Sequence, residues 1–198
     1  KNGDLFWENA FIGPVKDESG KIISYISLKE DITQKKRTDE DLKTAMAQAQ
    51  RTADEEQLLE RLLHLTVNDT TTGDYLKNSL DLLLNEMPLF RIQKKGVVFL
   101  ADNENQKLDM VYASGVSQDL INMCTKVLFG TCLCGKVAAA RQEMICHHVD
   151  ERHDNRPDDM VDHGHFTMPL LDQDVLLGVL TMYLAPSDDV NDHEKSFL

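Results

Sequence analysis

The chain has 198 residues, with 34 acidic against 21 basic side chains and a formal net charge of −13. That balance argues against a nucleic-acid partner, which would need a concentrated basic face to release counterions, and against an anionic membrane surface. Hydrophobic content of 41% with 28% charged residues is ordinary for a globular chain, and no uncharged apolar stretch approaches the roughly 20 residues of a transmembrane helix. Four cysteines, Cys124, Cys132, Cys134 and Cys146, are too few and too closely grouped for a disulfide framework. The expected compartment is the reducing cytoplasm.

Residues 1–28 read as extended. Phe6, Glu8, Ala10 and Ile12 alternate with Trp7, Asn9 and Phe11, and Ile22, Ile23, Tyr25, Ile26 and Leu28 form a second β-rich run. The polar stretch Lys16-Asp17-Glu18-Ser19-Gly20 predicts a turn that pairs the two runs as a hairpin. A lone hairpin is marginal in water, so the sequence is expected to begin inside a domain.

No glycine or proline occurs between Gly20 and Gly73. With Thr33 as N-cap, a helix is expected to run to about Leu65. Its apolar positions Leu42, Met46, Ala49 and Ala53 recur at spacings of four and three within otherwise polar sequence, which predicts a narrow coiled-coil seam and a homodimer. From Leu58 to Leu65 the stripe widens, so the helix should there join a globular core.

Leu76, Leu80, Leu83, Leu84 and Met87 predict an amphipathic helix stopped by Pro88. A strand pair (Val97 to Ala101, Leu108 to Ala113) and a helix from Val116 to Val127 are expected next. A loop from Gly130 to Gly135 then leads into a small-residue helix at Val137 to Ala140, and a strand from Met144 to His147 is followed by a polar loop reaching Asp162. Two final strands, His165 to Leu171 and Val175 to Tyr183, flank Asp172-Gln173-Asp174. The predicted fold class is α+β, an antiparallel sheet flanked by helices.

Two resemblances follow. Lys1-Asn2-Gly3-Asp4, Trp7, Pro14-Val15-Lys16-Asp17, Gly20 and Lys29-Glu30-Asp31-Ile32-Thr33-Gln34-Lys35-Lys36 resemble the C-terminal half of a PAS sensor domain running through its Asp-Ile-Thr junction into a signalling helix. Gly130, Gly135, Val137-Ala138-Ala139, Asp150, Pro169-Leu170 and Leu177-Gly178-Val179-Leu180-Thr181 resemble a GAF domain. The resemblance implies a C-terminal part of a PAS domain over 1–33, a signalling helix over 34–57 and a GAF domain over 58–198. It also implies the sensory input of a bacterial histidine kinase or, alternatively, a diguanylate cyclase, with the kinase or cyclase domain further along the parent chain.

The soft donors are concentrated in the GAF-like part. Cys132 and Cys134 stand in the glycine loop, Cys146-His147-His148 follow the small-residue helix, and His153 and His163-Gly164-His165 lie beyond. Thiolate and imidazole are ligands that zinc and iron prefer, so Cys132, Cys134, Cys146, His153, His163 and His165 are candidates for an iron, haem or zinc site. His147 and His148, if on a strand, point to opposite faces, and at most one can join. The Cys-x-Cys spacing matches neither a zinc knuckle nor the Cys-x-x-Cys-His haem attachment. Two other readings stay open: small cysteines packing a tight loop, and metal-free thiol redox sensing. Of the acids between Asp150 and Asp162, some could orient a metal-bound ring.

Leu133-Cys134-Gly135 is also similar to the loop of the free methionine sulfoxide reductases. The segment from His153 to Asp159, where such enzymes carry the attacking thiolate, holds no cysteine, and without it the reaction lacks its first step.

Overall fold

The computed structural model describes residues 5–67, 71–86, 92–156 and 160–188. The chain divides into two compact units, Lys1–Asp54 and Glu55–Leu198.

In the first unit, β1 (Glu8–Lys16) pairs antiparallel with β2 (Ile22–Asp31), in a register that sets Phe11 opposite Leu28 and Pro14 opposite Tyr25. The expected turn forms because Asp17 Oδ1 accepts hydrogen bonds from the Ser19 and Lys21 amides, both at 3.0 Å, and Gly20 takes φ +82°, a conformation glycine adopts without Cβ strain. Helix α1 (Thr33–Val67) follows directly. The expected N-cap is displaced. Thr33 Oγ1 accepts from the Trp7 amide across the hairpin, and Asp31 Oδ1 accepts from the Thr33 amide, both at 2.9 Å.

The second unit contains the last turns of α1, α2 (Thr72–Glu86), β3 (Ile92–Asp102), β4 (Lys107–Ser114), α3 (Gln118–Cys124), β5 (Lys126–Leu128), α4 (Cys132–Ala140), β6 (Met144–Cys146), β7 (Gly164–Asp172) and β8 (Val175–Leu184). The strands form a six-stranded sheet in the order β5-β4-β3-β8-β7-β6, antiparallel at every pairing. The class expected from the sequence, α+β with an antiparallel sheet flanked by helices, is the one observed for this unit.

Alternation along the central strands sends successive residues to opposite faces. Val98, Phe166, Met168, Leu180 and Met182 pack with Leu58 of α1 and with Leu80 and Leu84 of α2. Val97, Phe99, Val179 and Tyr183 pack with Val137 and Ala138 of α4. Full burial of a side chain such as Phe99 or Phe166 contributes about 1.5–3 kcal/mol. Of the leucines expected to widen the stripe of α1, Leu58 enters the core, while Leu59 and Leu63 remain exposed.

Three expectations need correction. The segment expected as one helix from Val116 to Val127 is split. Ser117 caps α3 by accepting from the Leu120 amide, and Lys126–Leu128 turns into β5 because β4 offers it a free edge. The glycine loop ends at Thr131, so Cys132 and Cys134 lie within α4. The cap that starts this helix early is tertiary: the carboxylate of Asp154, 22 residues on, accepts from the Cys132 amide. Finally, β6 ends at Cys146, and His147 and His148 are exposed loop residues.

Candidate functional site

The sheet face that carries Val97, Phe99 and Tyr183 also carries polar groups. On β7, His165 and Thr167 point to this face, and His163, two residues before His165, keeps the same parity. Cys146 on β6 pairs directly opposite His165. A side chain on the intervening Gly164 would place its Cβ 2.7 Å from the carbonyl oxygen of Cys146, so this glycine lets β6 lie close to the start of β7.

His153 arrives from the loop after β6, and that loop is tied at several points. Asp150 Oδ1 accepts from the amide and Nε of Arg152 at 2.9 and 3.0 Å. Arg156 Nε donates to the carbonyl of His153 at 2.7 Å, and Lys136 Nζ of α4 donates to that of Arg152 at 2.9 Å. With the Asp154 cap on α4, these bonds aim His153 inward.

Three imidazoles therefore meet in the interior. His153, His163 and His165 are 5%, 9% and 4% exposed, and each offers a ring nitrogen within 4.8 Å of the other two. His153 Nε2 lies 3.0 Å from His165 Nδ1, the rings of His163 and His165 meet edge to face at 4.5 Å, and Tyr183 stacks on His163 at 4.9 Å. His163 Nδ1 lies 2.6 Å from the carbonyl oxygen of Val161. A carbonyl only accepts, so Nδ1 carries the hydrogen and Nε2 the lone pair. That Nε2 is buried without a partner, as is Nδ1 of His153. Burial, and then the neighbouring His163, pushes His153 down to about 4. The same causes hold His165 well below its ordinary value. Both rings are thus neutral at neutral pH, as metal ligation requires.

The six residues singled out from the sequence separate into groups. His153, His163 and His165 converge. Cys132 and Cys134 line a cavity of about 40 Å³ together with His153 and His165. Cys134 Sγ is 3.3 Å from Thr181 Oγ1, and burial pushes its thiol up to about 12. Cys146 is fully buried on β6, its thiol pushed up to about 11, chiefly by burial, and it is not among the cavity-lining residues. Among the described residues, no thiol or carboxylate joins the three histidines as a further metal donor. His147 and His148 turn away, with Nδ1 of His147 2.9 Å from the Asp188 carbonyl and Nδ1 of His148 2.8 Å from Asp162. Asp158 and Asp159 lie outside the described residues.

Sequence reasoning missed Cys124, Asn155 and Tyr183, which also line the cavity. Asn155 Nδ2 donates to Cys124 Sγ at 3.4 Å, a contact between residues 31 apart that no local pattern announces. Tyr183 was findable, because alternation on β8 puts it on the same face as Thr181.

A GAF domain family model matches residues 69–198. Among solved structures, one titled as the structure of the GAF domain is similar with TM-score 0.60 and 17% identity, over 74% of this chain and 81% of that one. A putative GAF sensor protein from Burkholderia vietnamiensis is similar with TM-score 0.57 and 19% identity, over 74% and 87%. Free methionine-R-sulfoxide reductase from Neisseria meningitidis, in complex with its substrate, is similar with TM-score 0.53 and 18% identity, over 68% and 77%. A comparison with curated proteins found no match.

Proposed function

Because the chain belongs to the GAF domain family, whose members generally serve as sensory or regulatory modules, we propose that it is a sensory input module in which His153, His163 and His165 hold a transition-metal ion. The observation that carries this reading is the set of buried imidazoles with orphaned nitrogens. An unsatisfied buried polar atom costs about 1–3 kcal/mol, and a metal ion removes that cost at each orphaned nitrogen it binds. Two nitrogens on one ion at 2.0–2.1 Å are at most about 4.2 Å apart, so the rings close slightly on binding. Imidazole suits both iron and zinc. A cavity of about 40 Å³ favours a bare ion over haem, since pockets for larger ligands span about 300–1,000 Å³.

The test is metal titration of anaerobically prepared protein followed by elemental analysis. One equivalent of iron(II) or zinc should be retained through gel filtration and lost in both His163→Ala and His165→Ala. A folded wild type that retains neither metal overturns the reading.

The first unit supports the finer assignment to a two-component sensor histidine kinase with a PAS part at 1–33, a signalling helix at 34–57 and the GAF domain at 58–198. The hairpin leaves Phe11, Ile12, Ile23, Tyr25, Ile26 and Leu28 exposed on both faces, an apolar surface that favours a covering partner, as a PAS sensor part would require. Leu42 and Met46 of α1 are 57% and 64% exposed, which favours a partner helix; the reading is of a homodimer, placed in the cytoplasm, that passes the signal to a downstream kinase or cyclase domain. The methionine sulfoxide reductase alternative is weaker, because a thiol pushed up to about 12 at Cys134 is a poor nucleophile at neutral pH. No described helix is long and apolar enough to cross a membrane.

A further inference from the structure

Outside the three-histidine cluster, the loop between β6 and β7 meets the turn that follows β8 at the surface. Asp162 Oδ2 lies 2.8 Å from His148 Nδ1, and Ser187 Oγ lies 3.1 Å from His148 Nε2. A carboxylate ionised at neutral pH only accepts, so Nδ1 carries the hydrogen and Nε2 keeps the lone pair. The Ser187 hydroxyl then donates to Nε2. Asp162 is itself fixed, because its Oδ1 accepts from the Val149 amide at 2.9 Å. In this order of contacts an acid orients an imidazole, and the imidazole can take the proton of a hydroxyl.

The serine is held under strain. Residues 185–188 form a turn closed by the Asp188 amide, which donates to the Ala185 carbonyl at 3.1 Å. Pro186 stands second in it and Ser187 third, with φ +65°. A positive φ at the third position of a turn ordinarily calls for glycine, and a side chain there carries backbone strain of the kind that collects at functional sites. His147 clamps the turn twice: its carbonyl accepts from the Ser187 amide at 3.1 Å, and its Nδ1 donates to the Asp188 carbonyl at 2.9 Å. The two adjacent histidines thus divide between them the backbone and the hydroxyl of the same turn.

The surroundings restrict the substrate. The side chains of His148 and Asp162 are 54% and 51% exposed, and Ser187 is exposed, so a reagent in solution reaches Oγ. The amides of Ser187 and Asp188 are committed to carbonyls and do not supply oxyanion donors, each of which contributes on the order of 10²–10³ in rate where present. An acyl donor must therefore bring a good leaving group of its own.

We propose that Ser187, with His148 as general base and Asp162 as its positioning residue, is a nucleophile that takes acyl groups from activated esters with weakly basic leaving groups. The Oγ lone pair forms the bond to the carbonyl carbon and its proton passes to His148 Nε2. The bond from that carbon to the leaving oxygen breaks, and the imidazolium gives the proton to the departing group. Water, deprotonated by the same nitrogen, then cleaves the acyl ester of Ser187 to a carboxylic acid and restores the hydroxyl. No oxidation occurs, and the proposal does not depend on the metal site.

The experiment treats the whole chain with p-nitrophenyl acetate and follows nitrophenolate release together with peptide mass mapping. Acetyl should appear on Ser187 ahead of the other serines, and Ser187→Ala should remove it along with most of the release. His148→Gln should slow acetylation of Ser187 by roughly a hundredfold, and Asp162→Asn, which keeps an oxygen for the Val149 amide but loses the charge, by about tenfold. Asp162→Glu should recover part of the rate, and circular dichroism checks that each variant keeps its fold. Acetyl on lysines alone, release undiminished in folded Ser187→Ala, or a Ser187 rate unchanged in folded His148→Gln or Asp162→Asn would each overturn the proposal.

Discussion

His153 Nε2 and His165 Nδ1 lie 3.0 Å apart, although one residue is on a loop and the other on β7. One of the two nitrogens carries the hydrogen between them, so neither ring needs a charge. A proton added to either ring would enter a buried, crowded site.

That relationship fixes the sign of a pH effect. His153 titrates near 6.5 in its ordinary state and at about 4 in the folded chain. Between those values the unfolded chain binds a proton that the folded chain does not. Metal-free protein should therefore lose stability as pH falls through this window, by up to about 1.4 kcal/mol per pH unit for each proton. The loss of His153's contribution should level off below pH 4. Urea unfolding at pH 7.5 and pH 5 checks this, and His153→Gln should flatten part of the slope. Equal midpoints at the two pH values would contradict it.

Cys134 and Cys146 should be unreactive. With thiols pushed up to about 12 at Cys134 and about 11 at Cys146, the thiolate fraction at pH 8 is on the order of 10⁻⁴ and 10⁻³. Iodoacetamide labelling read by mass spectrometry should leave both unmodified in native protein and alkylate them in urea. The native rate should rise about tenfold per pH unit. Rapid native labelling of Cys134 at pH 8 would favour a thiol redox sensor.

Helix α4 depends on close approach to β5. A Cβ on Gly135 would lie 2.1 Å from the carbonyl oxygen of Leu128, a distance that backbone cannot absorb without moving. Gly135→Ala should cost roughly 1–3 kcal/mol, measured by thermal or urea denaturation. At Gly20 a Cβ would meet nothing within 4 Å, and the constraint is its φ of +82° alone. Conversion to asparagine, which tolerates that conformation, should therefore cost less there.

Assembly through α1 should be weak and easily broken. Leu42 and Met46 are exposed, and Ala49 and Ala53 add little apolar area to a seam. Sedimentation should show a dimer for the wild type, and Met46→Glu, which sets like charges against each other, should shift it to monomer. A monomeric wild type at tens of micromolar, roughly the range where a weak pair with Kd of micromolar order is dimeric, would sink the seam.

The sequence by itself determined the elements whose signals are local. The hairpin at Asp17 and Gly20, the long helix free of glycine and proline, and the alternation of β7 and β8 all follow from neighbours in the chain. The spacing of His163 and His165 likewise puts both on one face, since strand side chains repeat every two residues. What only the tertiary structure decided came from residues far apart. Asp154 starts α4 at Cys132, the edge of β4 draws Lys126–Leu128 out of a helix, and a tied loop brings His153 to His165 while Cys146 stays outside the cluster. Sequence proximity named six soft donors. Which of them share a site depends on the face each strand presents and on the loop that returns to it, and those are set by packing across the whole sheet.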